Sequence, residues 1–387
     1  MSTASSTPFT CRWALLGLSS IAVTFVEDLL LPRNDSDPIR HEIACVSTTG
    51  TIDRARRWLE DRKVPNADSV QVFSSSDEML ATGQFDVVYI STPHPLHYQA
   101  ARTALHHQRS VLVEKPATMN RAQFLQLASE AKAQKGGVVL MEAMWTRYLP
   151  AIQFLQKDLL PRIGTVKRVF SDLSVPIMDA QSVATPEMAS SRLVDKQAGA
   201  GAMLDMGVYA LTWADIALGG TDNTKVVYAD SIPLPTGTAL IDDINTVLLK
   251  NGEGVAIITT SLSLAGSSHA KDKLAVEKVG PAVKIEGTKA QVSVPFPLIR
   301  PQELQIEWYG EAEDVKKETV SLPVERGWGL WYQADVMAKA IQAQRATSQK
   351  EVSGAVIGEA ESARVLGWMD AARKAANIAY DAEAEAV

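Results

Sequence analysis

The sequence predicts a two-domain α/β protein, with a parallel sheet covered by helices on both faces followed by a mostly antiparallel sheet. Three observations lead there. From Arg12 to about Tyr148, short continuous apolar runs alternate with stretches of helical periodicity, the pattern of parallel strands buried on both faces. After Pro150 the strand-like runs lengthen and are joined by turns. A chain of 387 residues is also too long for one compact core. The expected division is a disordered tail rich in Ser and Thr over 1–10, a first domain over 11–148 and a second over 149–387.

In the first domain, residues 13–16, 42–46, 87–90, 111–113 and 138–141 are expected as strands, each a short apolar run. Apolar residues at helical spacing place helices over 21–31, 53–62, 77–82, 96–107 and 121–135. The apolar stretch from Trp13 to Val26, behind Arg12, resembles a signal peptide, but Glu27 and Asp28 interrupt it and no small-residue cleavage site follows. It reads instead as strand, turn and helix. In the second domain, strands are expected over 166–173, 246–249, 255–264, 283–286, 291–294 and 304–308, and helices over 203–218, 331–344 and 357–376. Residues 179–200 form a long polar connection of the kind that often carries function. The acidic segment 381–387 is expected to fray.

A net charge of −7 argues against a nucleic-acid or anionic-membrane partner, and no stretch is long and apolar enough to span a bilayer. Cys11 and Cys45 cannot make a disulfide framework, so a reducing, cytoplasmic setting is expected. No set of His, Cys and carboxylates stands at ligand spacing, so no metal is expected.

The first strand runs into Gly17-Leu18-Ser19-Ser20-Ile21-Ala22 and then a helix, the place of the dinucleotide fingerprint G-x-G-x-x-G/A. Gly17 supplies the tight turn, Ile21 lies in the first turn of the helix, and Ala22 is small enough for that helix to pack on the strand. Ser19 stands where the middle glycine lets backbone approach a pyrophosphate. It can offer its N–H and hydroxyl there only if its backbone angles suit a residue with a side chain. The second strand ends in Ser47-Thr48-Thr49-Gly50, where NAD-binding domains usually carry an acidic residue for the ribose 2′-hydroxyl. Arg54, Arg56 and Arg57 follow. Hydroxyls and a guanidinium accept a 2′-phosphate and a carboxylate repels it, which favours NADP over NAD. The other reading of these arginines is a solvated helix face. Ser91, Thr92, Pro93 and His94 end the strand over 87–90, and His97 follows one turn on. Their hydroxyl and imidazole groups suit a nicotinamide ribose, although a lone histidine in such a place is more often structural.

Val111-Leu112-Val113-Glu114-Lys115-Pro116 is a buried strand ending in a carboxylate, an amine and a proline, at the end where parallel sheets place their ligands. Lys115 beside Glu114 is a candidate catalytic cation or acid/base. The alternative is a surface ion pair. Farther on, Gly199-Ala200-Gly201-Ala202 leads into a helix on which Asp205 and Tyr209, four apart, share a face. They read as a buried hydrogen-bonded pair or as a pair facing a cleft with Lys115 opposite. A phenol titrates near about 10, and a neighbouring cation lowers that by stabilising phenolate. A Tyr–Lys pair can then take an alcohol proton near neutral pH while hydride leaves the carbon.

Glu114-Lys115-Pro116, Ser91-Thr92-Pro93-His94-Pro95-Leu96-His97, Met141-Glu142-Ala143-Met144-Trp145-Thr146-Arg147 and Leu204-Asp205-Met206-Gly207-Val208-Tyr209 together resemble the glucose–fructose oxidoreductase/inositol dehydrogenase (Gfo/Idh/MocA) family. Glu286-Gly287-Thr288-Lys289 and Arg300-Pro301 fit its branch of dimeric dihydrodiol dehydrogenases and fungal NADP-dependent D-xylose dehydrogenases. The resemblance spans roughly residues 12–373. Thr48-Thr49-Gly50 departs from the Ser-Arg-Ser stretch of many NADP-using relatives.

The resemblance implies an N-terminal Rossmann domain for NADP and a C-terminal α/β domain whose open sheet often joins two copies in a dimer. It implies Lys115 as the catalytic lysine, Tyr209 as the general acid/base and Asp205 as the residue orienting the site. Gly17, Ser19, Ile21, Ala22, Ser47, Thr48, Thr49, Ser91, Thr92, Pro93, His94, His97, Glu114 and Lys115 would then meet the cofactor. Trp145, Arg147 and Arg192 would meet the substrate, a small cyclic sugar or diol. The expected reaction is oxidation of D-xylose at C1 to the lactone. The alternatives are a trans-1,2-dihydrodiol as substrate, or an NADP-binding protein without turnover.

Overall fold

The computed structural model describes residues 7–177, 192–220, 223–236, 239–266, 280–310, 316–346 and 353–387. Most of the polar connection expected over 179–200 lies outside them. The chain forms two compact units. The first comprises Met1–Ala117, Phe124–Trp145 and Glu325–Glu359, and the second Thr118–Gln123, Thr146–Val324 and Ala360–Val387.

The first unit alternates strand and helix: β1 (Phe9–Leu16), α1 (Ser20–Leu29), β2 (Ile39–Ser47), α2 (Ile52–Asp61), β3 (Gln71–Phe73), α3 (Ser76–Thr82), β4 (Val87–Ile90), α4 (His97–His106), β5 (Ser110–Glu114), α5 (Arg121–Ala133) and β6 (Val139–Ala143). The sheet runs β6-β5-β4-β1-β2-β3, with a further strand, Ala355–Ile357, beyond β6. Every pairing is parallel. β4, β5 and β6 are buried throughout, as strands covered on both faces must be. The strand order reverses between β1 and β4, which opens a crevice at their C-terminal ends. Phe9 and Thr10, expected in the tail, pair with Ile39 and Arg40.

Residues 325–359 fold with the first unit rather than extending the second domain unbroken to 387. Asp28 is the cause that sequence patterning hid. This buried carboxylate on α1 accepts the backbone N–H groups of Trp328, Gly329 and Leu330 at 2.8, 2.7 and 2.7 Å. Those donors open the helix Leu330–Ala346, whose first turn has no intrahelical acceptors. The charge that interrupts the apolar run of α1 thus anchors a helix some 300 residues away.

His41 on β2 is wholly enclosed by the same unit. Trp13 Nε1 donates to its Nδ1 at 3.0 Å, so Nε2 carries the proton and faces Asp335 Oδ1 at 2.9 Å. Arg33 pairs with the same carboxylate. Burial pushes the imidazole's pKa down by more than Asp335 pulls it up, with Arg33 adding to the downward push. A depressed folded-state pKa leaves stability whole above the ordinary imidazole value of about 6.5 and lowers it as pH falls through that value. Urea midpoints are expected to fall between pH 7.5 and 5.5, and to fall less in His41→Phe. Parallel slopes in the two proteins would exclude His41 as the source.

The second unit holds α6 (Pro150–Phe154) with a π-helical turn after it, then β7 (Val166–Ser174) and α7 (Val208–Ala217). It continues with β8 (Lys225–Thr236), β9 (Ala239–Lys250), β10 (Val255–Ser261), β11 (Val283–Gly287), β12 (Ala290–Val294), β13 (Glu303–Trp308) and β14 (Lys316–Ser321). They form one sheet, β14-β13-β12-β11-β7-β10-β9-β8. Only β7 and β10 pair in parallel. α7, buried along its whole length, packs on β7 and β10 at the middle of the sheet. Sequence patterning missed the two edge strands for opposite reasons. β8 contains Pro233 and Pro235, which only an edge tolerates, and β14 is charged on the side where a sheet must avoid pairing. Among the described residues, no helix is long and apolar enough to cross a membrane, and no group of three or more His, Cys, Asp or Glu is placed to hold a metal.

Candidate active site

The crevice between β1 and β4 is built by two strand ends that bind each other. Gly17 has φ +96°, and a Cβ there would lie 3.1 Å from the Ser91 carbonyl carbon and oxygen. Ser91 Oγ donates to the Gly17 carbonyl at 2.9 Å, and Ser91 N–H to Leu16 O at 3.0 Å. Only glycine satisfies both the angle and the approach. Ser19 has φ −75° and ψ 173°, ordinary extended backbone, so nothing at this position demands glycine. Its hydroxyl accepts the N–H of buried Ala22 at 3.3 Å and caps α1, with Ile21 between them. Thr92 Oγ1, at the end of β4, is buried without a hydrogen-bond partner. An orphaned hydroxyl beside a helix N-terminus fits a phosphate- and ribose-bearing ligand.

At the end of β2, Ser47 is buried, Thr49 is exposed, and Thr48 Oγ1 accepts Gly50 N–H at 3.0 Å. The three arginines of α2 separate in space. Arg56 donates to the carbonyls of Ala67 and Val70 and ties down a loop. Arg57 is exposed. Arg54 folds back over Gly50, its Nη1 4.0 Å from where a Cβ would stand. It is the one arginine of the three beside the hydroxyls of β2.

The β5 end is held by neutral and anionic side chains from both neighbouring strands. Tyr89 on β4 donates to Glu114 Oε1 at 2.6 Å, and Glu114 Oε2 accepts the Lys115 N–H at 3.2 Å. Glu142 on β6, buried, accepts Ala117 N–H at 2.9 Å. His97 has no exposed surface, and its ring nitrogens lie 2.9 Å from Pro116 O and 2.8 Å from Thr92 O. His97 thus joins the chain after β4 to the chain after β5. His94 is buried edge-on against it, while Pro93 is exposed. Lys115 is half-buried at the mouth of this frame, and Trp145 is buried in the same unit.

In the second unit, Asp205 lies in the π-helical turn Met203–Gly207 and Tyr209 in the first turn of α7, both buried. Bonds in such a turn run i→i+5, so the α-helical spacing argued from sequence does not carry over unchanged. Arg192 grips both Asp205 oxygens, at 3.0 and 3.2 Å. Asp242 on β9, which sequence reading missed, accepts Met203 N–H at 2.6 Å and the Asn245 amide at 2.8 Å. Gly201, at φ +131°, leaves room for that carboxylate. Burial pushes the Asp242 carboxyl up. The Arg147 guanidinium pairs with buried Asp215 of α7 at 3.0 Å and is largely enclosed, while its Nε is buried without a hydrogen-bond partner.

Residues 11–143 match the model of an oxidoreductase family with an NAD-binding Rossmann fold. Across 97% of its length, the chain is 31% identical to a D-xylose 1-dehydrogenase (NADP(+)) from Hypocrea jecorina, and it covers 95% of that protein. The chain belongs to the Gfo/Idh/MocA oxidoreductase family. Within this family it is also 26% identical to a human trans-1,2-dihydrobenzene-1,2-diol dehydrogenase, over 95% of this chain and 98% of that one. In fold it is similar to a levoglucosan dehydrogenase solved with NADH and levoglucosan, with a TM-score of 0.75 at 17% identity over 95% and 97% of the two chains. This chain holds a Rossmann unit and a large, mostly antiparallel sheet.

Proposed function

We propose that the protein is an NADP-dependent dehydrogenase that oxidises an aldopyranose, D-xylose before others, at C1 to the lactone. The observation that carries this is the end-to-end similarity to a D-xylose 1-dehydrogenase (NADP(+)). When bound, the dinucleotide supplies the hydride acceptor. Gly17, Ser19, Ile21 and Ala22 hold its pyrophosphate at the N-terminus of α1. Ser47, Thr48, Thr49 and Arg54 take the 2′-phosphate. Ser91, Thr92, Pro93, His94 and Glu114 border the nicotinamide side, and Thr92 Oγ1 gains the partner it lacks.

Tyr209 takes the proton of the anomeric hydroxyl, and the Lys115 ammonium stabilises the phenolate that does so. The electron pair of the C1–H bond leaves as hydride while C1–O becomes a carbonyl. One aldose and one oxidised cofactor thus give one lactone, one reduced cofactor and one proton. Asp205 fixes Arg192 for the sugar hydroxyls, and Trp145 offers an apolar wall. Purified protein with D-xylose is expected to reduce NADP, read by absorbance of the nicotinamide. Reduction with a trans-1,2-dihydrodiol and not with any aldose would establish the second reading, which the similarity to dihydrodiol dehydrogenases favours. Tight cofactor binding with silence across both panels would point to a protein without turnover.

Arg54→Ala is expected to weaken NADPH about tenfold and leave NADH unchanged, since one charge-assisted hydrogen bond is lost. Fluorescence titration with both nucleotides checks this, and equal weakening of both would remove Arg54 from the phosphate site. Two copies of the chain are proposed to associate through the β8–β9 side of the sheet, where Tyr228, Ile232 and Leu240 are more than half exposed. The free thiols of Cys11 and Cys45, both buried, suit the cytoplasm.

A further inference from the structure

The segment expected to fray is tied down together with the residues that lead into it, and their partners are the loops that flank the proposed catalytic residues. Gln123, 1% exposed, donates through Nε2 to the carbonyls of Ala384 and Ala386 at 2.9 and 2.8 Å. Its Oε1 accepts the N–H of Met119 at 3.1 Å, four residues past Lys115. Asn120 Nδ2 donates to Glu385 O at 2.9 Å. Arg373, 5% exposed, binds Met119 O at 2.9 Å with one arm and Glu385 Oε1 at 2.6 Å with another. Seven residues on, Tyr380 lies under the same guanidinium and donates to Ala200 O at 3.0 Å and to Asp242 Oδ1 at 3.4 Å. Asp242 in turn holds Met203 N–H, two residues ahead of Asp205.

We propose that residues 373–386 are a positioning strap that sets, within the second unit, the loop leaving Lys115 against the turn that introduces Asp205 and Tyr209. Arg373 and residues 384–386, at the two ends of this short segment, bond the loop over 119–123, and Tyr380 between them bonds Ala200 and Asp242, so one segment fixes two loops more than 70 residues apart in the chain. Gln123, Arg373 and Tyr380 act through the loops they hold. A cavity of about 440 Å³ lies beside the strap, lined in part by Lys196, Asp230, Asn377 and Tyr380. It leaves room for Tyr380 to shift when its hydroxyl bonds are lost. The inference rests on the assignment of Lys115 and Tyr209 as the acid/base pair.

The test uses the full-length protein with Tyr380→Phe, and a form ending at Tyr380 that lacks the acceptors of Gln123 and the partner of Arg373. Both are assayed with D-xylose and NADP at a temperature well below unfolding, beside Lys115→Met. Displacing a catalytic group by about 1 Å costs on the order of 10²-fold, so kcat is expected to fall about 10- to 100-fold in both strap forms. The Kd for NADPH should stay within about twofold of the parent. A strap that is only structural would lower Tm and leave kcat and its pH profile as in the parent, and that result overturns the proposal. Loss of turnover in Lys115→Met beside full turnover in both strap forms would sink the strap alone. Full turnover in Lys115→Met would sink the acid/base assignment beneath it.

Discussion

Lys115→Met and Tyr209→Phe are each expected to lower kcat by roughly 10²- to 10⁴-fold, the range of a single positioned acid or base, with NADPH binding retained. Lys115 follows a braced strand end. The β5 end is held by Tyr89 on Glu114, Glu142 on Ala117 and His97 on Pro116. Methionine keeps the unbranched stem, so the substitution removes charge and proton capacity at little change in shape. Tyr209→Phe removes one oxygen from a buried ring on α7 and leaves its packing. Steady-state turnover with D-xylose and a fluorescence titration with NADPH separate chemistry from binding. A fall in nucleotide affinity that matched the fall in kcat would show disturbed binding and would end the acid/base reading. Normal turnover in both variants would end it as well.

The parallel sheet was legible because its strands are continuous apolar runs and its helices keep one apolar face. The place of the cofactor crevice was legible because Gly17 and the strand-end hydroxyls sit where parallel sheets bind ligands. Side-chain partners were not legible. Ser19 looked like a damaged glycine and is a helix cap at ordinary angles. Arg54, Arg56 and Arg57 looked alike, yet only contact geometry separates the one over Gly50 from the one bound to Ala67 and Val70. Asp28 and Asp242 carried no local signal, because each serves amides that are distant in sequence. A carboxylate's partner is fixed by topology, which periodicity does not encode. The same gap explains why segment 381–387 read as a loose end. Most of its anchors are backbone carbonyls, and these take any side chain.

Asp215→Asn is expected to be the most destabilising single change in the second unit, and it also decides what Arg147 does. Asp215 is buried in α7, with Arg147 at 3.0 Å on one oxygen and Arg364 at 2.6 Å on the other. Both guanidiniums are close to nine-tenths enclosed. Removing the shared anion leaves two like charges facing each other away from water, and breaking a buried pair in this way costs about 3–5 kcal/mol. For a unit of this size each kcal/mol shifts Tm by roughly 2–4 °C, so Tm should drop by about 10 °C. Arg147→Met should cost less, because Asp215 keeps Arg364. The two variants distinguish a brace from a substrate ligand. If Arg147 braces α7, Arg147→Met lowers Tm, and below unfolding it leaves KM for the sugar near the parent value. If Arg147 reaches the sugar, Arg147→Met raises KM with Tm unchanged, and Asp215→Asn becomes mild because its partner is solvated. The first outcome is expected, since a guanidinium drawn from this site to a substrate would strand Asp215 with half its charge unmet.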